Sequence, residues 1–307
     1  MDVVEGIGAL PLERGPAAVT VGFFDGVHRG HQSVIGRTVE AARQRGLVPV
    51  AITFDRHPRE ILMPGTQPKL LTTLERKAEL IGALGVESLV VLAFTPEFAG
   101  WSPAQFVNRV LVQGLGTRHV VVGANFTFGH RAEGNLATLQ EMGGDAGFDA
   151  EGVALQNVGG RRFSSTSIRE ALEAGDLEWP EHALGRRFAL DGRVVAGAGR
   201  GAKLGYPTAN LEVGPKMLLP AEGVYAGRAV TPEGNHVAAI NVGTNPTFGQ
   251  EPLHVEAFLL DFEGDLRGRD VSIEFWSRLR GEVRFDSPEA LSSQIGEDVE
   301  RSRDLVR

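Results

Sequence analysis

Cysteine is absent from all 307 residues. That excludes disulfides, thiolate metal centres and a cysteine nucleophile, and it fits a reducing compartment. Long apolar runs are also missing: no segment approaches the roughly 18 consecutive apolar residues that a membrane helix needs. The N-terminus, MDVVEGIGALPLERG, has early acidic residues and no apolar stretch of signal-peptide length. A cytoplasmic protein with no membrane partner is expected. Basic excess is lacking too, since 31 Lys and Arg face 39 Asp and Glu, a formal charge of -8. Proteins that coat nucleic acid carry the opposite balance, so no nucleic-acid partner is expected, although a local basic patch can still bind small anions. Neither an internal repeat nor a low-complexity tract interrupts the chain.

What is present is enough length for two domains of ordinary size and 42% apolar residues, enough for a core in each. The first half alternates two periods. Strand-like runs at 17–23, 48–54, 88–94, 118–126 and 152–158 are separated by helix-like segments at 32–46, 74–85, 103–113 and 135–144, and 164–176 follows. Ser102-Pro103 and Ser164-Ser165 read as helix starts. Such alternation predicts a parallel sheet with helices on both faces and ligands at the carboxyl ends of the strands. After 187 the helical period fades into short alternating runs broken by turns such as TPEGN and EGDLRG, which predicts a small antiparallel barrel. A helix over 287–305, capped by Ser287-Pro288, closes the chain. The domains are expected at 1–183 and 184–307.

The stretch VTVGFFDGVHRGHQ (19–32) places Gly22, Asp25, His28 and His31 at the first strand-to-helix turn. Such a turn is an anion site, because free N–H groups and the helix dipole face outward. Histidines three apart on a helix start share a face and can donate to phosphate oxygens. Metal ligation with Asp25 as third ligand, and plain surface decoration, stay open on spacing alone. Further polar clusters end other strands or open the later helix: Asp55 and His57; Asn125, Thr127 and Arg131; Ser165, Thr166 and Arg169. Strand ends of one sheet converge, so the set is stronger than any member.

The run VVAGAGRGAKLGYPTANL (194–211) matches G-x-G-x-x-G/A loosely, but Gly205 and Pro207 stand where a helix would follow, and no Gly-Lys-Ser/Thr is present. A glycine-rich loop with Gly199, Arg200 and Lys203 remains, able to fold over a triphosphate. If 207–211 is extended, Thr208 and Asn210 point the same way and can share one Mg²⁺, which prefers oxygen ligands. Glu256 shares a strand face with His254 and Phe258. A carboxylate there is either solvent-facing or a general base, and spacing alone favours the former.

The order GFFDGVHRGHQ, TFDRHP, VGANFTFGHRAEGN, SSTSIRE resembles the FMN adenylyltransferase module of the bacterial bifunctional riboflavin kinase/FAD synthetases. GRGAKLGYPTANL, GVYAG, INVGTNPTFG, VEAFLLDFEGDLRG and FDSPEALSSQIGEDV resemble their riboflavin kinase module. Together the two likenesses cover residues 17–305. The resemblance implies a Rossmann-like nucleotidyltransferase domain followed by a kinase barrel, with riboflavin, FMN, FAD, ATP and ADP as partners and Mg²⁺ as cofactor. It implies His28, His31 and Arg169 as catalytic residues of adenylyl transfer. Gly22, Phe24, Asp25, His57, Asn125, Ser165 and Thr166 would line the ATP/flavin cleft. In the kinase half it implies Glu256 as base, Thr208 and Asn210 as metal ligands, and Gly199, Arg200, Lys203, Gly205 and Pro207 around ATP. An alternative is an adenylyltransferase with an impaired, mainly flavin-binding kinase half, since Ala202 stands where Arg is common. Other departures are Phe23, where Asn is frequent, Arg56, where Pro is frequent, Phe258, where His is common, and Arg267, where Tyr is common. A monomer or weak homo-oligomer is expected.

Overall fold

The computed structural model describes residues 1–10, 15–154, 157–197, 201, 205–244 and 253–306. It divides into two compact units, 1–165 and 166–307.

In the first unit six strands form one sheet: β1 (Asp2–Glu5), β2 (Ala17–Val21), β3 (Val48–Phe54), β4 (Ser88–Leu92), β5 (His119–Gly123) and β6 (Asp149–Val153). Their order is β1-β4-β3-β2-β5-β6, and every pairing is parallel. The central strands are buried along their whole length, as AAVTV and SLVVL are. That explains their near-continuous apolar runs, because both faces of a parallel sheet are covered. Val19, Ile52, Val90 and Val120 pack on one side with Phe106, Leu111 and with Leu139 of α3 (Leu136–Ala146). Ala51, Leu89 and Val91 pack on the other with Ile35 of α1 (Arg29–Arg45) and Ile81 of α2 (Leu74–Ala83).

Besides β1, which the sequence reading passes over, three segments of the first unit differ from it. The helix α1 starts at Arg29 rather than 32, because His28 caps it. The strand expected at 152–158 is β6, Asp149–Val153. As an edge strand it is only half-covered and uses polar residues that an apolar criterion passes over; Glu151, for instance, pairs with Arg37 at 2.6 Å. The helix expected at 103–113 is one α turn, Pro103–Phe106, that widens into a π-helix at Val107–Val112.

From β2 the chain builds outward through β3 and β4, then returns to place β5 on the other side of β2. The crevice between the carboxyl ends of β2 and β5 is therefore the switch point, where such sheets bind ligands.

The second unit opens with α4 (Ser165–Glu173), which begins at the division, and α5 (Glu178–Leu184). Six antiparallel strands follow: β7 (Phe188–Val195), β8 (Thr208–Glu212), β9 (Gly223–Thr231), β10 (Gly234–Gly243), β11 (His254–Leu259) and β12 (Asp270–Arg280). They close in the order β7-β8-β11-β10-β9-β12, with the last strand paired to the first. Leu190, Tyr225, Ile240, Val255, Ile273 and Phe275 are among its buried side chains. The helix α6 (Pro288–Leu305) is capped by Ser287, whose Oγ accepts from the Ala290 N–H at 3.2 Å. It packs on β9, β10 and β12, tied by Arg280 to the buried Asp298 at 2.8 Å.

Candidate functional site

The turn after β2 is tightly constrained. Phe24 (φ 52), Gly26 (φ 77) and the β-branched Val27 (φ 41) all take positive φ, which is costly for two of the three. The neighbours hold them there. The buried Asp25 carboxylate accepts from the Leu71 N–H at 2.9 Å and the Thr72 N–H at 3.2 Å. Gly26 N–H donates to Thr72 Oγ1 at 3.1 Å, Thr53 Oγ1 to the Phe23 carbonyl at 3.1 Å, and Ser165 Oγ to the Asp25 carbonyl at 2.9 Å. Gly22 has no alternative: a Cβ would stand 2.7 Å from the Phe24 ring.

From this turn α1 departs. His28 is its N-cap, with Nδ1 accepting from the His31 N–H at 3.3 Å. The two imidazoles stack, with centroids 3.6 Å apart and planes 20° apart. Gly30 leaves room for this, since a Cβ there would sit 3.1 Å from the His28 ring. His31 Nδ1 is buried and has no hydrogen-bond partner among the described residues. Burial pushes the His31 pKa well below 6.5, and the neighbouring His28 and Lys77 push it further. His31 is thus a neutral imidazole at pH 7, with one ring N–H to give.

The residues of the other polar clusters singled out in the sequence lie as follows, Thr166 and Arg169 in the second unit and the rest in the first. The His57 ring meets Phe23 edge-on at 4.8 Å, and its Nδ1 accepts from the Arg59 N–H at 3.1 Å. Asp55 Oδ1 accepts from the Phe94 N–H at 2.9 Å. Asn125 and Thr127 are exposed just past β5. Ser165 is bonded into the turn as described. Thr166 is exposed and Arg169 buried on α4.

The sequence reading missed an aromatic cavity. It has a volume of about 630 Å³, and its lining includes Phe54, Phe94, Phe98, Trp101, Phe126 and Phe128. The rings meet at 5.1–5.8 Å, as in Phe98–Trp101 at 5.1 Å and Phe54–Phe98 at 5.8 Å. Gly129 (φ 76) closes one wall, where a Cβ would strike Pro103 at 2.7 Å. A signal existed: TF, AF and GANFTF place a phenylalanine at or just beyond the carboxyl ends of β3, β4 and β5. An apolar cavity with a few polar groups at its mouth suits a flat aromatic ligand.

On the barrel the strand register assembles a polar row. Asn210 of β8 and Asn241 of β10 both lie opposite Glu256 of β11. Directly paired residues point to the same side of a sheet. Thr208 Oγ1 donates to Glu256 Oε2 at 3.1 Å, and His254 Nε2 lies 3.2 Å from Oε1. Glu256 is therefore half-buried and fixed between two partners rather than free in solvent, which spacing alone had favoured. The glycines before β8 serve close approach: a Cβ on Gly197 would overlap the Asn210 amide at 2.2 Å. Gly205 (φ 88) and Pro207 are exposed at the start of β8. Glu282 was not foreseen. Burial raises its carboxyl pKa, while Arg280 opposes this, and its neighbours include Asn241 and His254. Gly199, Arg200 and Lys203, with Ala202, lie outside the described residues.

Thr208, Asn210 and Glu256 present hard oxygen atoms, the donor chemistry that Mg²⁺ prefers. Among the described residues no cluster of three His, Asp or Glu could hold a metal unaided. The reading of His28, His31 and Asp25 as a metal centre thus gains no support, and Asp25 spends its carboxylate on backbone amides.

A family model described as FAD synthetase matches residues 11–167, and one described as riboflavin kinase matches residues 184–306. A Pseudomonas fluorescens protein named bifunctional riboflavin kinase/FMN adenylyltransferase is 39% identical, the match spanning 100% of this chain and 98% of that one. A Bacillus subtilis protein of the same name is 35% identical over 296 residues, 94% of this chain and 92% of that one. A solved structure described as a macrolide-efflux protein from Streptococcus pneumoniae superposes with a TM-score of 0.88 at 28% identity, covering 99% of each chain. No helix among the described residues is long and apolar enough to cross a membrane, and that likeness bears on the fold.

Proposed function

Because the chain belongs to the bifunctional riboflavin kinase/FMN adenylyltransferase family, we propose how its two units divide the work. The enzyme phosphorylates riboflavin to FMN and joins FMN to the adenylyl group of ATP to make FAD. The observation that carries the division is that each half gathers its own polar cluster: the stacked histidines at the switch point, and the Thr208–Glu256–Asn210 row on the barrel.

On the barrel, the ribityl hydroxyl attacks the γ-phosphorus of ATP and ADP leaves. Glu256 takes the hydroxyl proton. The hydrogen bond it accepts from Thr208 and its contact with His254 hold the carboxylate in one orientation, which supports that role. Thr208 and Asn210 would hold Mg²⁺, which when bound neutralises phosphate charge. In the first unit, an FMN phosphate oxygen attacks the α-phosphorus and pyrophosphate leaves. The substrate supplies the nucleophile, so the protein need only position and stabilise charge. The α1 N-terminus, His28 and His31 bind the triphosphate, with Ser165, which donates to the Asp25 carbonyl, assisting. Gly22, Phe24 and Asp25 shape that cradle, and the aromatic cavity takes the isoalloxazine; Asn125 and His57 directly precede the lining residues Phe126 and Pro58 in the chain. A cytoplasmic site of action goes with this reading.

The test is a chromatographic time course with riboflavin, ATP and Mg²⁺. FMN should appear first and FAD second. FAD from supplied FMN, with no FMN from riboflavin, would restore the impaired-kinase alternative, which no finding here favours. The double variant His28→Ala/His31→Ala should stop at FMN; FAD made at the normal rate would remove the histidines from the site.

A further inference from the structure

Lys77 has no part in the chemistry above, yet it is 3% exposed, one turn into α2. Lysine is almost never buried so deeply without a partner. Its ammonium stands 4.0 Å from the centre of the Phe23 ring and close enough to Asp25 and His31 for each to feel its charge. On its own helix the Arg76 and Glu79 side chains pair with each other at 2.8 Å. The segment leading into α2 is the one whose amides, at Leu71 and Thr72, hold the Asp25 carboxylate. Phe23, the aromatic departure noted in the sequence, supplies a π face that favours a desolvated cation.

We propose that Lys77 is a positioning residue for adenylyl transfer: its buried ammonium sets the charge of the turn from beneath, acting through Asp25 and His31, and the turn touches the nucleotide. The inference rests on the assignment of adenylyl transfer to His28 and His31. A carboxylate buried at a phosphate site would repel the ligand, and a fixed cation beside it offsets that charge. The same cation disfavours protonation of His31 and so preserves the neutral imidazole.

Burial lowers the Lys77 pKa to about 8, with Asp25 opposing the shift. The wild-type adenylylation rate should therefore fall along an alkaline limb near pH 8. Lys77→Met should lower the rate at pH 7 by about tenfold or more and abolish the limb, while riboflavin phosphorylation by the same chain stays unchanged. Lys77→Arg should restore most of the rate without the limb, because a guanidinium does not titrate there. Phe23→Leu, which removes the π face, should move the limb to lower pH. A wild-type rate in Lys77→Met, or an alkaline limb surviving in Lys77→Arg, overturns the proposal. Should Lys77→Met fail to fold, the arginine and leucine profiles decide. If His28→Ala/His31→Ala keeps full adenylylation, the site assignment fails; if only the lysine variants are silent, this inference alone fails.

Discussion

Glu256 illustrates how neighbours decide what one side chain can do. A carboxylate on a strand face has no fixed position by itself. Here Thr208 donates to one oxygen and His254 stands by the other. Glu256→Gln keeps the shape and removes the base, so riboflavin phosphorylation should drop by roughly 10²–10⁴-fold while FAD still forms from supplied FMN. Equal losses in both reactions would argue for a structural role. Lys77 gives a stability prediction. Its pKa lies at about 8 in the folded chain against an ordinary 10.5. The unfolded chain thus binds more protons between those values, and the burial cost, present in full below pH 8, is relieved as pH rises to 10.5. Thermal unfolding should show the first unit gaining stability from this residue over that window, up to about 3 kcal/mol, and Lys77→Met should flatten the gain.

Elements were legible in the sequence where local chemistry marks their ends. The strand β3 coincides with its expected range, 48–54, and α1 ends where Gly46 takes a left-handed turn. The bounds of the polar edge strand β6 and the π form of the helix at Val107–Val112 were not legible, since both depend on tertiary neighbours. The histidine pair, Thr208, Asn210 and Glu256 were readable as motifs. Their assembly, with Asn210 and Asn241 flanking Glu256, required the strand register. The aromatic cavity was missed because a phenylalanine at a strand end reads equally well as core. The turn between β2 and α1 is an element whose strain is held from outside. Asp25→Ala removes the acceptor for Leu71 and Thr72 and should destabilise the first unit by about 1–3 kcal/mol. Adenylyl transfer should fall with it at temperatures where circular dichroism shows the unit still folded. An intact rate there would show that the turn holds its shape without the clamp.

At the scale of the chain, loss of helical period set the sequence boundary at 183/184, whereas the compact units part between Ser165 and Thr166. The difference is α4 and α5. Ala171, Leu172, Leu177, Ala183 and Leu184 are buried. The Ala221 N–H before β9 donates to the Leu172 carbonyl at 2.9 Å. Fragment 166–307 should therefore melt at a higher temperature than fragment 184–307 and phosphorylate riboflavin more durably. Equal melting would mean that the two helices add nothing to the barrel.

Closure of the barrel has a consequence for how the protein is made. Its first strand, β7, pairs with its last, β12, so Phe188 meets Phe275. A ribosome delivers these partners far apart in time. The parallel sheet has all its strands once Val153 has emerged, but the barrel keeps open edges until β12 leaves the exit tunnel. The half that consumes FMN can be finished while the half that makes it is still an unjoined ribbon.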